Sequence, residues 1–222
     1  FEPGGGPPPV GAGNPPPDAV LCQGASHKGG TPGRSGFGGF LGGRVDQRAK
    51  VGLQRTFQNL ELFSELTAIE TVMIGRPLHC NYSLLPSLFN TRSVRRSNTT
   101  TLAAAIELLD RLGLAQYRNV RPDAMPYGAL KRLDIARALA AEPKVLLMDE
   151  PAAGLNPSET LAMRELIARI AAGGITVLVV EHDMRLVMSV AQDMIGLDHG
   201  VKIGGGNPSD IREDAGVVSA CL

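Results

Sequence analysis

Two adjacent carboxylates, Asp149 and Glu150, close the apolar run Val145-Leu146-Leu147-Met148. A short continuous run of this kind predicts a strand buried on both faces. Its acids then stand at the carboxyl edge, where a solvated cation and a phosphate reach them without exposing the sheet. A carboxylate there suits Mg²⁺, a hard cation that prefers oxygen ligands and retains water, while its neighbour polarises an attacking water. On this reading Asp149 is the metal ligand and Glu150 activates water. The same string also describes two surface acids opening a loop, and the string alone does not separate the two.

A second apolar run, Ile175 to Val180, ends in Glu181-His182-Asp183. If the two strands are neighbours, His182 lies at the matching edge beside the acids, where an imidazole can contact a γ-phosphate or the attacking water. By itself it also reads as a surface histidine next to a helix cap. Between the runs, Asn156 suits a helix cap, Pro157 the first helical position and Glu159 the third, with Met163, Leu166, Ile167 and Ile170 facing inward. Strand, helix and strand, closed by Gly173-Gly174, predict parallel strands joined by a right-handed crossover, with function at their carboxyl ends.

Other elements must position this edge. Thr67 to Glu70 has the Thr-x-x-Glu form of a capping box and predicts a helix start. Thr101 to Leu112 places Leu102, Ile106, Leu109 and Leu112 on one helical face before Gly113, and Leu130 to Ala141 repeats the pattern up to Pro143. The first 43 residues differ: they hold fourteen of the 27 glycines and eight of the 16 prolines, with Glu2, Asp18, Lys28 and Arg34 as their only charges. Such composition buries too little apolar surface to offset chain entropy, so residues 1–44 are expected to be disordered or extended and residues 45–222 folded.

Bulk properties narrow the partners. The 222 residues carry 22 basic and 22 acidic side chains, so no global field draws the chain to nucleic acid or to an anionic membrane. Cys22, Cys80 and Cys221 form no metal-ligand spacing and suit a reducing compartment. No stretch reaches the roughly 20 apolar residues that span a bilayer, so work at a membrane would mean docking on another protein.

At this point the sequence resembles the nucleotide-binding subunits of ABC transporters. Val145 to Pro151 resembles the Walker B strand with its catalytic glutamate, Ala153-Gly154-Leu155-Asn156-Pro157 the D-loop, and His182 the switch histidine. Gln58, in Arg55-Thr56-Phe57-Gln58, resembles the Q-loop glutamine, which in the family touches Mg²⁺ or its water. Met125 to Arg132 sits where the family keeps its signature motif. There Pro126 replaces the serine, Tyr127 a glycine and Ala129 the glutamine, leaving Gly128 and a helix N-terminus suited to phosphate. This wording is similar to that of the branched-chain amino acid importer ATPases, as is an extra segment from about His79 to Asn98 with Arg92, Arg95 and Arg96, which also reads as a solvated loop.

One motif is missing from the pattern. The family's phosphate loop, Gly-x-x-x-x-Gly-Lys-Ser/Thr, has no full match; by position the nearest relic holds Gly11 and Gly13, followed by Asn14 and Pro15 where lysine and hydroxyl are needed. A second near miss, Gly24-Ala25-Ser26-His27-Lys28-Gly29-Gly30-Thr31, lies closer to Gln58 than the family's spacing and is read as chance. A truncated, partly misread start is the favoured explanation over true loss of the nucleotide site.

The resemblance implies an α/β fold: a P-loop NTPase-like (ABC ATPase) core with a parallel sheet, a helical subdomain at about 60–140, and N-terminal strands largely missing. Its implied cofactors are ATP and Mg²⁺. Glu150, His182 and Gln58 would be catalytic, Asp149 and Gln58 would hold Mg²⁺, and Tyr127, Gly128, Asn156, Gly11 and Gly13 would face nucleotide. Implied partners are a second ABC ATPase subunit, integral membrane permease subunits and, indirectly, a periplasmic or extracellular solute-binding protein, with no nucleic acid. The function the resemblance implies is ATP hydrolysis for an importer of branched-chain amino acids, at the cytoplasmic face of the membrane; the alternative is an inactive partner offering only its signature helix.

Overall fold

The computed structural model describes residues 19–23, 52–56, 62–76, 92–214 and 217, with side chains described outside 19–23 and 92–98. Its elements are β1 (Ala19–Gln23), β2 (Leu53–Arg55), α1 (Ala68–Ile74), α2 (Arg92–Arg111), α3 (Tyr127–Leu139), β3 (Val145–Asp149), α4 (Pro157–Ala172), β4 (Thr176–Glu181), α5 (Met184–Val190), β5 (Asp193–Asp198), β6 (Val201–Gly206) and α6 (Pro208–Glu213). Among the described residues the strands form one sheet in the order β2-β3-β4-β1-β5-β6. All neighbours are parallel except β5 and β6.

The predicted strand-helix-strand unit is present as β3, α4 and β4. Asn156 caps α4 by accepting from the Ser158 and Glu159 amides, and the Glu159 carboxylate accepts in return from the Asn156 amide at 3.1 Å. Met163, Leu166, Ile167 and Ile170 are all buried, as their spacing requires. Leu146 and Met148 of β3 and Val177 and Val179 of β4 join them in the core.

Three features differ from the sequence reading. Ala19–Gln23, inside the segment expected to be disordered or extended, is a strand paired on both sides, to β4 and to β5. Composition averaged over 43 residues hides the short run Ala19-Val20-Leu21-Cys22, which is apolar enough for a central strand. Second, β3 is fully buried on one face only among the described residues: Leu146 and Met148 are buried while Val145, Leu147 and Asp149 are half-buried. An unbroken apolar run reports what both faces are made of, and the described residues seal one of them. Third, Leu102 is 40% exposed, and the buried seam of α2 runs through Thr101, Ala105, Leu109 and Leu112. Size misled there, because a small Ala and a Thr fill the close contact while the larger Leu102 projects outward.

α2 also begins at Arg92, so the end of the extra segment is helical rather than loop. α1, α2 and α3 pack on one another, and α3 reaches β2. Leu109, Leu114 and Leu133, each fully buried, form the centre of that helical layer.

At the start of α1 the capping box is formed: Glu70 Oε2 accepts from the Thr67 amide at 2.8 Å, and Thr67 Oγ1 accepts from the Glu70 amide. The backbone and side-chain hydrogen bonds from Thr67 stabilise the ionised carboxylate and hold Glu70 below the usual glutamate range. A depressed carboxylate pKa contributes stability above its unfolded value, and that contribution fades as pH falls through the folded value. Carboxyl-carbon NMR titration should therefore place Glu70 below an ordinary glutamate in the native chain and return it toward the ordinary range in T67A.

Candidate active site

β3 and β4 are in parallel register with Asp149 beside Val180, and the Glu150 amide extends the ladder by donating to the Val180 carbonyl at 2.9 Å. This pairing fixes where each strand stops. Asp149 is the last residue of β3 and Glu181 the last of β4, so Glu150 and His182 are the first residues beyond the same edge. His182 Nδ1 lies 3.6 Å from Glu150 Oε1, with the imidazole more than half exposed and the carboxylate less so. β1 runs parallel to β4 with Cys22 beside Glu181, which brings its carboxyl end to this edge too.

Backbone conformation sharpens the placement of Glu150. It sits at φ +46°, in the left-handed region that a side chain with a Cβ enters at a cost of about 1–2 kcal/mol. The turn that follows is built on it: Ala153 donates to the Glu150 carbonyl at 3.2 Å, and Gly154 adopts φ +77°.

Asp149 Oδ2 accepts from Arg55 Nη2 at 2.8 Å. The strand end thus faces a positive charge. Among the described residues no group of three or more His, Cys, Asp or Glu could cage a metal. A single carboxylate still fits Mg²⁺, which takes one or two protein carboxylates and completes its shell with substrate phosphates and water.

The predicted signature residues reach the same region from α3. Tyr127 and Gly128 open the helix, and Pro126 precedes it with no side-chain cap hydrogen bond. The Tyr127 ring covers Gly154, where an added Cβ would lie 3.0 Å from Cε1, and Gly128 is pressed on Glu159, whose Oε1 would be 2.5 Å from a new Cβ. Asn156, expected to face nucleotide, has its Oδ1 committed to the cap of α4. Gln58, Gly11 and Gly13 lie outside the described residues.

Two residues given no role by the sequence reading touch this turn. Lys131 is 4% exposed and its Nζ donates to the Glu150 carbonyl at 3.2 Å. Glu181, 2% exposed, accepts from the Ala152 amide at 2.9 Å through Oε1 and from the His182 amide at 3.2 Å through Oε2. A lysine on the buried side of α3 and a glutamate ending an apolar strand are the signals that mark them, since buried charges persist only with partners.

The profile of the ABC transporter family matches residues 18–153, more than half of the chain, and the chain belongs to that family. Among characterised relatives, the high-affinity branched-chain amino acid transport ATP-binding protein BraF of Pseudomonas aeruginosa is 39% identical over 175 residues, covering 78% of this chain and 69% of the relative. LivG of Escherichia coli K12, with the same descriptive name, is 38% identical over 177 residues, covering 79% and 69%. The fold matches a nucleotide-free ATP-binding cassette from an ABC transporter at a TM-score of 0.71 and 22% identity, over 94% of this chain and 89% of that one. It also matches a dimeric, post-hydrolysis cassette bound to ADP and Pi at a TM-score of 0.63 and 21% identity, over 88% and 87%.

The contact between Tyr127 and Gly154 is testable against an internal reference. Gly174 shares a positive φ, +87°, but has nothing within 4 Å of an added Cβ. In urea denaturation G174A should lose about 1–2 kcal/mol from backbone strain alone. G154A should lose more than G174A, and adding Y127A should remove that excess.

Proposed function

We propose that this chain is the ATP-hydrolysing subunit of an ABC importer that moves branched-chain amino acids. The observation that carries the reading is the approach of His182 to Glu150 at the shared edge of β3 and β4. Relatives named as branched-chain amino acid transport ATP-binding proteins support the solute class. The inactive-partner alternative draws no support from them.

In this reading Glu150 takes a proton from the attacking water as its oxygen bonds the γ-phosphorus and the bond from that phosphorus to the β,γ-bridging oxygen breaks, releasing ADP and phosphate, while His182 hydrogen-bonds the γ-phosphate or that water. Asp149 and, by the resemblance, Gln58 would hold Mg²⁺, which would supply positive charge against the phosphates. The Asp149 carboxylate, bonded here to Arg55, would have to exchange that partner for the metal. The block of residues 60–140 acts as the helical subdomain.

Gly11 and Gly13, which lie outside the described residues, are the glycines this reading offers to the phosphates. Tyr127 and Gly128, at the N-terminus of α3, are offered to the nucleotide of a second ATPase subunit. Membrane permease subunits, a solute-binding protein and a place on the cytoplasmic face complete the assembly; no helix among the described residues is long and apolar enough to cross a membrane.

Single-turnover assays with Mg-ATP test the assignment. E150Q should slow hydrolysis by about 100-fold or more while retaining ATP binding, as expected for a group that acts in the chemical step. Equal rates in E150Q and the native chain would refute the role of Glu150.

A further inference from the structure

We propose that Lys131 and Glu181 are positioning residues that grip the turn from Glu150 to Ala152 from its two ends and so hold the Glu150 carboxylate at His182. The proposal rests on the reading of Glu150 as the water-activating group.

The turn needs such support. Glu150 occupies a left-handed conformation at φ +46°, which persists only where the surroundings over-determine it. At one end, the buried Lys131 ammonium donates to the Glu150 carbonyl, 3.2 Å away, which also accepts from Ala153. At the other end, Glu181 Oε1 accepts from the Ala152 amide at 2.9 Å. Between them Pro151 is buried and has no backbone N–H to donate. A cation thus meets the turn's carbonyl and an anion its N–H, each charge facing the end of a peptide dipole that stabilises it.

Glu181 does a second thing. Its Oε2 accepts from the His182 amide at 3.2 Å and lies 3.7 Å from His182 Nδ1. One rigid carboxylate therefore references the Glu150 turn and His182 to the same point, and the 3.6 Å approach of their side chains follows from it. Lys131 makes the corresponding link to α3, with the Tyr127 ring 5.6 Å from its Nζ. Displacing α3 pulls on the Glu150 carbonyl directly.

The alternative is that both are buried charges satisfied by whatever backbone lies nearest, with no effect on Glu150. Two measurements on the 222-residue chain separate these. Amide hydrogen exchange without nucleotide should speed up about tenfold at Ala152 in E181A, and at Ala153 in K131M, with Leu147 and Val179 unchanged. E181Q keeps an acceptor oxygen for one amide and should recover most of the protection at Ala152. In Mg-ATP hydrolysis, K131M and E181A should lower kcat about tenfold with KM within about twofold, and E181Q should restore much of kcat.

Native exchange rates at Ala152 in E181A and at Ala153 in K131M would overturn the grip. Unchanged kcat in both, in a protein whose kcat does fall in E150Q, would overturn its role in placing Glu150. A native chain without ATPase activity would instead defeat the proposed function, and the exchange measurement would still decide whether the turn is held. Should E181A not fold, K131M carries the comparison at Ala153 and in kcat, with K131Q, which keeps a donor for the Glu150 carbonyl, expected to recover part of both.

Discussion

The parallel registration of β3 with β4 is the constraint from which the rest of the site follows. Asp149 stands beside Val180, and the ladder runs one bond further, from the Glu150 amide to the Val180 carbonyl. Slipping either strand by one residue would reverse which side chains face the core and separate Glu150 from His182. Apolar burial opposes that slip: Leu146, Met148, Val177 and Val179 are at most 3% exposed, and each would exchange places with a half-buried neighbour. Burying side chains of this size is worth about 1.5–3 kcal/mol apiece, which far exceeds the strain of the left-handed Glu150. The core thus sets the register, and the register places the polar edge.

Around that edge the elements have distinct duties. β1 flanks β4 on the side away from β3, which leaves β4 paired along both sides and His182 emerging from an internal strand. α4 begins under its own capping box, so the turn between β3 and α4 is bounded by two fixed ends. α3 closes the turn from outside, with Tyr127 over Gly154 and Gly128 against Glu159. The N-terminus of α3 is therefore in contact with the turn after β3 and with the start of α4.

Much of this was legible in the sequence because its signals are local. The runs Val145–Met148 and Ile175–Val180, the Asn156-Pro157 cap and the Thr67–Glu70 box each depend on residues within a few positions, and each formed where expected. What stayed hidden depends on packing at long range. Leu102 fits the helical period but loses the buried seam to smaller Ala105, because helix proximity rather than hydrophobicity chose the residue there. β1 was masked by the glycine and proline around it, since a strand of five residues gains its stability from two neighbours distant in sequence. Lys131 and Glu181 lie beside the motif residues without a role of their own; only the fold shows that a lysine and a glutamate 50 positions apart meet the same turn.

The central claim is that this edge of the sheet receives nucleotide. Titrating the isotope-labelled 222-residue chain with a non-hydrolysable ATP analogue and Mg²⁺, while following backbone and imidazole resonances, tests it most directly. The account predicts saturable shifts concentrated at Asp149, Glu150 and His182, with the turn between β5 and β6 at His199 and Gly200 unaffected. Saturable binding that leaves Glu150 and His182 unmoved, or no binding at millimolar analogue, would contradict it.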